Sequence, residues 1–223
     1  ATLIGERGNE PRGRQILALI DMVIVPIEGG TNCDTPEDQI VDFVQKECRT
    51  RGIPEQNFFY DAGLRTSLVS TFARKQWINC NTVDCGGSAS DEQVSEEITK
   101  KCNEYYANFI TELWYSVTLT ITARQFRGMS KEVMWELCAR EWKHVVGANK
   151  IQAETKPEMK VKTGKSPDLA DALAVGVYGA RKMGFRIARL MEGVRRNQGP
   201  DWRREFNEKA TSEWQKSRLN HAA

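Results

Sequence analysis

The stretch Lys165-Ser166-Pro167-Asp168-Leu169-Ala170-Asp171-Ala172-Leu173 constrains this chain more than any other. It reads as the start of a helix: Ser166 is a good N-cap, and Pro167 has its φ pre-set for the first helical position. Asp168 and Asp171 are three residues apart, which puts both carboxylates on one helix face. Two acids so close repel each other. The helix N-terminus offsets part of that repulsion, and a divalent cation would offset far more. Asp168 can also be explained as a residue that simply favours the positive end of the helix dipole. Asp171 is not covered by that explanation, because the small apolar run Ala172-Leu173-Ala174-Val175 follows it. A helix carrying that run dives into a core, and an acid beside it needs a partner.

The rest of the chain sets bounds. Its 223 residues, 40% of them hydrophobic, suffice for one sizeable domain with a tail or for two small ones. The longest apolar stretch, residues 16–27, is broken by Asp21 and Pro26. That falls short of the ~20 apolar residues a membrane-spanning helix needs, so no membrane partner is expected. The N-terminus has neither the basic start nor the apolar segment of a secretory signal. A net charge of +2 argues neither for nor against nucleic acid. Residues 181–204 are locally basic, from Arg181 and Lys182 to Arg203 and Arg204, which reads as a solvated helix face. Of the six cysteines only Cys80 and Cys85 are close, without the two-residue gap of zinc ribbons, and neither His144 nor His221 is near them. A zinc site is not expected, and scattered cysteines fit a reducing compartment.

Residues 2–6 and 15–27 read as a hairpin of two strands joined by the turn chemistry of Arg7 to Gly13. Thr35-Pro36-Glu37-Asp38 opens a helix with Ile40, Phe43, Val44 and Cys48 inward. Phe58-Phe59-Tyr60-Asp61-Ala62-Gly63 reads as a short buried strand with an acid at its C-terminal end. That is where ligands bind in open α/β sheets, although Asp61 could equally close a turn onto Gly63. Residues 66–75 read as a helix with Val69, Phe72 and Ala73 inward, and 77–85 as a strand. Residues 90–123 read as one long helix or a broken pair, opened by a capping box at Ser90, with an aromatic stripe that belongs to a core. Its end, Val117 to Thr122, is β-branched enough to be extended instead. Ser130 caps another helix with Val133, Met134, Leu137, Cys138 and Trp142 inward. Residues 150–154 are extended, and a basic loop with Lys156, Lys160, Lys162 and Lys165 leads to the Asp168 helix. The order predicts an α/β chain with a mixed sheet flanked by helices.

At these residues a family becomes visible. Ser166 to Leu173, preceded by Glu154-Thr155-Lys156-Pro157-Glu158-Met159-Lys160 and the pair Gly164-Lys165, resembles the end of the nuclease domain of tailed-phage terminase large subunits. Phe59-Tyr60-Asp61-Ala62-Gly63 resembles that family's second acidic strand, and the Asp168/Asp171 spacing also resembles the last helix of junction resolvases. The resemblance covers about residues 1–185 and implies a ribonuclease-H-like fold. Residues 1–192 would be the nuclease domain and 193–223 a polar helical or mobile tail. It implies a DNA endonuclease that cuts concatemeric phage DNA during packaging, in the host cytoplasm at the procapsid. Its partners would be double-stranded DNA, the portal and the small terminase subunit. Asp61, Asp168 and Asp171 would be the catalytic and metal-binding residues for two Mg²⁺ or Mn²⁺ ions, hard cations that choose oxygen ligands. Lys156, Lys160, Lys162 and Lys165 would steer DNA phosphates, or else form a solvated loop.

The family's first metal-binding acid lies on its first strand, and neither Glu6 nor Asp21 matches that position. Because the chain opens within a strand, an acidic strand upstream of Ala1 is expected. No Gly-x-x-x-x-Gly-Lys-Ser/Thr motif of the family's ATPase motor occurs in this sequence. A junction resolvase and a non-catalytic fragment that docks DNA or the portal remain as alternatives.

Overall fold

A computed structural model of the protein describes residues 2–9, 15–30, 33–63 and 66–189, the first of these segments by its backbone alone. The described residues belong to one compact unit, which runs to Arg189. The expected tail, residues 193–223, lies outside them.

The fold is mixed α/β. Strand β1 (Thr2–Asn9) and β2 (Gln15–Met22) pair antiparallel, with Gly5 opposite Ala18, and β2 pairs in parallel with β5 (Phe126–Arg127). The hairpin is as the sequence predicts, but β2 stops at Met22 and residues 23–29 have no regular structure. Ile16, Leu17, Ala18 and Leu19 are all buried, so this strand is covered on both faces, as a near-continuous apolar run implies.

Helix α1 (Pro36–Thr50) starts where its chemistry says: the Thr35 hydroxyl accepts from the Asp38 N–H, and Pro36 takes the first turn. Its buried stripe is Val41, Val44, Gln45 and Cys48; Val44 and Cys48 are as expected, whereas the expected Ile40 and Phe43 are half-buried. Strand β3 (Phe59–Asp61) pairs in parallel with β4 (Asn81–Val83). Between them runs α2 (Thr66–Arg74), which buries Phe72 but leaves Val69 exposed. Val41, Val44, Cys48, Tyr60 and Phe72 form one apolar cluster, closed by the rings of Phe58 and Trp77.

Residues 90–101 are not helical, apart from an isolated bridge between Gln93 and Lys101. Ser90 does not cap a helix, because both its N–H and its hydroxyl donate to the buried carboxylate of Glu112 at 2.7 Å. The helical part begins later, with the single turn α3 (Cys102–Tyr105) and then α4 (Phe109–Thr122), capped by Asn108. The β-branched end of α4 stays helical because it is packed: Val117 and Thr120 are fully buried. Tertiary burial outweighs the few tenths of a kcal/mol per residue by which such residues disfavour helix.

Helix α5 (Lys131–Ala139) has the expected Ser130 cap, yet of the expected inward residues only Val133 is buried. Strands β6 (Trp142–His144) and β7 (Ile151–Ala153) form an antiparallel pair. The expected basic loop is a helix, α6 (Lys156–Thr163). Thr155 and Glu158 cap it reciprocally, and Gly164 ends it in the left-handed region. Helix α7 (Asp168–Lys182) follows, packed on α4, α5, β1 and β3. No helix among the described residues is long and apolar enough to cross a membrane.

One glycine lets α7 approach β3. A Cβ on Gly179 would lie 2.7 Å from Cδ2 of Phe59, closer than carbon atoms tolerate. Gly179→Val is therefore expected to push the helix off the strand and cost about 2–3 kcal/mol, read as a lower midpoint of urea unfolding. An unchanged midpoint would show that the contact yields freely.

Candidate active site

The contact between Gly179 and Phe59 holds the start of β3 against the last turns of α7, and Asp61 at the other end of β3 lies beside the first turns of α7. A cavity of about 310 Å³ opens there, and its walls include Asp61, Lys156, Asp168 and Asp171. Its floor is apolar, with Ile40, Val44, Tyr60 and Val175. Four of the seven residues expected at the site thus come together from β3, α6 and α7. Lys160, Lys162 and Lys165 do not line the cavity. Lys162 is tied to Glu154 at 2.9 Å and Glu141 at 3.1 Å, whereas Lys160 and Lys165 are exposed.

Each acid is held differently. Asp61 closes the turn after β3, its Oδ1 accepting from the Gly63 N–H at 3.0 Å, so the turn role and the cavity position coexist. Asp168 is exposed at the first position of α7 and accepts from the Ser166 hydroxyl at 2.7 Å. The cap proper is not Ser166 but Pro167, which offers no side-chain hydrogen bond. The amide of Ala170 finds its acceptor in Glu136 of α5 instead, at 2.8 Å. Burial raises the Glu136 pKa, as do Asp168 and Asp171 nearby, against the two helix amides that lower it.

Asp171 is the most enclosed of the acids, with 12% of its side chain exposed. Its Oδ1 accepts from Trp114 Nε1 at 2.7 Å, and Arg140 Nη1 lies 3.6 Å away. Its Oδ2 is buried without an aligned hydrogen-bond donor, and the Lys156 ammonium lies 2.6 Å from it as an ion pair. The partner that an acid beside a core requires is thus a group of cations and one indole. Burial works against the charge of Lys156, but Asp171, Asp61 and Asp168 more than offset this and raise its pKa. The ammonium stands among three carboxylates, where a cation relieves their repulsion.

Cys85 completes the surroundings. Burial pushes its thiol up to about 12, and Asp61 and Asp171 add to this. It is inert as a thiolate near neutral pH, and all six cysteines are free. Nothing local in the chain marks Glu136, Arg140 or Cys85 as neighbours of the acids. Trp114 belongs to the aromatic stripe read as core, and a buried indole N–H usually finds an acceptor.

Among the described residues no three His, Cys, Asp or Glu side chains already converge as ligands of one ion. The donor set nevertheless suits a hard divalent cation. Three carboxylates line one cavity, and the outer oxygen of Asp171 is met only by the Lys156 ammonium, a cation that a metal ion could replace. A second cavity, about 320 Å³, lies at the other end of α7 between residues 92–96 and 184–187. Arg181 on its wall is already engaged by Ser116 and the Gln93 carbonyl.

No protein-family model matches this chain. No curated protein matches it either. Among solved structures it is similar to nuclease domains of the large terminase subunit gp2 of bacterial virus Sf6. A lysine-to-alanine variant of that domain, with manganese and beta-thujaplicinol, shares 18% identity over 73% of this chain and 80% of that one, with a TM-score of 0.47. The unsubstituted domain shares 21% identity over 63% and 71%, with a TM-score of 0.46. The same variant with calcium shares 18% over 74% and 76%, with a TM-score of 0.47.

Proposed function

We propose that this chain is a ribonuclease-H-like, metal-dependent DNA endonuclease of the kind found in tailed-phage terminase large subunits, cutting concatemeric phage DNA during packaging. One observation carries this: Asp61 and the sequence-distant pair Asp168 and Asp171 share a single cavity with Lys156 among them. Asp61, Asp168 and Asp171 would hold two Mg²⁺ or Mn²⁺ ions. Such ions supply a nucleophilic water at neutral pH and stabilise the leaving oxygen in phosphodiester hydrolysis. Lys156 neutralises the acids when no ion is bound, which keeps like charges compatible in a half-buried site. Displaced from Asp171, its ammonium would face a DNA phosphate. Lys160 and Lys165, exposed beside the cavity-forming elements, would meet the phosphate backbone, a contact without sequence preference. Lys162 instead braces α6 against Glu154. The site of action would be the host cytoplasm at the procapsid, with double-stranded DNA, the portal and the small terminase subunit as partners.

The Lys156–Asp171 ion pair, which occupies the carboxylate a metal ion would need, favours a second reading, a non-catalytic module that docks DNA or the portal. Metal removal separates the two. Supercoiled plasmid is expected to be nicked with millimolar Mn²⁺ and left intact once a chelator is in excess. Equal nicking with the chelator would contradict metal dependence, and plasmid bound but never cut would support the docking module.

A further inference from the structure

We infer that Trp114 and Arg140 are positioning residues for Asp171: they hold one carboxylate oxygen from inside the protein, so that only the other is offered to a cation. This deepens the nuclease reading and rests on it.

Three contacts build the device. Trp114, 6% exposed on α4, donates its indole N–H to Asp171 Oδ1 at 2.7 Å. Arg140, just after α5, stacks its guanidinium 4.3 Å from the centroid of that indole and brings Nη1 to 3.6 Å from the same oxygen. The guanidinium is itself fixed, because Arg140 Nε donates to the Glu154 carbonyl at 2.7 Å, next to the start of α6. Its side chain is only 2% exposed, and Nη1 is buried without a hydrogen bond. Arg140 is therefore held by burial, stacking and one backbone bond, and its free edge points its charge at Asp171.

The consequence is geometric. With Oδ1 engaged on the core side, the carboxylate cannot turn. Oδ2, which has no aligned donor, is the oxygen left beside Lys156 and the cavity. Asp171 would serve as a one-oxygen ligand of fixed direction. Groups that orient a ligand in this way typically govern affinity about as strongly as some ligands do. They also make Trp114 a reporter, since a cation drawing on Oδ2 changes the acceptor strength of Oδ1.

The test uses the full chain. Trp114→Phe keeps a ring in the core and removes the donor. Isothermal titration with Mn²⁺ is expected to show affinity lower by on the order of 10-fold, at a temperature well below the unfolding midpoint of both proteins. A purely structural role would move the midpoint and spare the affinity. Arg140→Lys, which keeps the charge but loses the stack, is expected to shift affinity in the same direction. Independently of any variant's folding, titration of the wild type with Mg²⁺ is expected to move the indole N–H resonance of Trp114, while that of Trp77 stays in place. Unchanged Mn²⁺ affinity in Trp114→Phe, or an unmoved Trp114 resonance as Mg²⁺ saturates, would overturn the inference and leave the nuclease reading standing. Absence of Mn²⁺ binding in the wild type itself would remove both.

Discussion

Asp168→Ala is expected to lower Mn²⁺-dependent nicking by at least ~100-fold, the upper end of what losing even a supporting group of a metal ligand costs, while the protein stays folded. The fold should survive because Asp168 is exposed and does not cap its own helix. The side-chain bond it accepts comes from Ser166, and the Ala170 amide is served by Glu136 from another helix. What the substitution removes is a favourable interaction with the helix dipole, typically about 0.3–1 kcal/mol. It also removes some repulsion with Asp171 and Glu136, which works the other way. A large loss of activity with an unchanged unfolding curve therefore separates chemistry from stability. Equal nicking by the two proteins would take Asp168 out of the mechanism.

The largest effect on stability is expected far from the cavity. Glu112 is fully buried on α4, and it binds Ser90 through both oxygens. Arg181 of α7, with 7% of its side chain exposed, lies 3.8 Å away. Glu112→Ala leaves that guanidinium buried beside Glu92, and strands the Ser90 amide. Removing one partner of a buried pair costs about 3–5 kcal/mol, because the remaining charge loses its buried counter-charge and keeps only the neutral partners Ser116 and the Gln93 carbonyl and the more exposed Glu92. For a domain of this size that corresponds to a fall in Tm of roughly 10 °C. Replacing both partners, Glu112→Leu with Arg181→Met, is expected to recover much of the loss. A single substitution costing under ~1 kcal/mol would mean that water already reaches the pair.

The same pair shows why parts of the fold were hidden in the sequence. Ser90-Asp91-Glu92-Gln93 has the composition of a capping box, yet Ser90 is spent on Glu112, a residue 22 positions away. Local signals hold where a cap is closed by its own neighbours. Thr35 with Asp38, Ser130 with Val133 and Thr155 with Glu158 all do this. The last of these is encoded locally too, but the lysines of α6 that follow it read as a loop. Ser166 departs from its local signal for a related reason: its hydroxyl donates to Asp168, and the Leu169 and Ala170 amides are served by Glu136.

The candidate site divides along the same line. Asp61, Asp168 and Asp171 were legible because a strand end and a helix start announce themselves in a few residues. Their supports were not, because nothing near Trp114 marks it as a neighbour of an acid 57 positions later, and Glu136 sits on, and Arg140 just after, a helix whose buried face is weakly marked in the sequence. Gly179 is a similar case: a glycine inside a helix reads as a weak spot until Phe59 is seen against it.

The claim on which the rest depends is that three carboxylates serve common divalent ions. Crystals of the wild-type chain soaked in Mn²⁺ and measured at the manganese edge test it directly. The expected result is strong anomalous density among Asp61, Asp168 and Asp171, with the Lys156 ammonium moved off Asp171. A cavity without anomalous density, with the Lys156–Asp171 pair intact at saturating Mn²⁺, would contradict it.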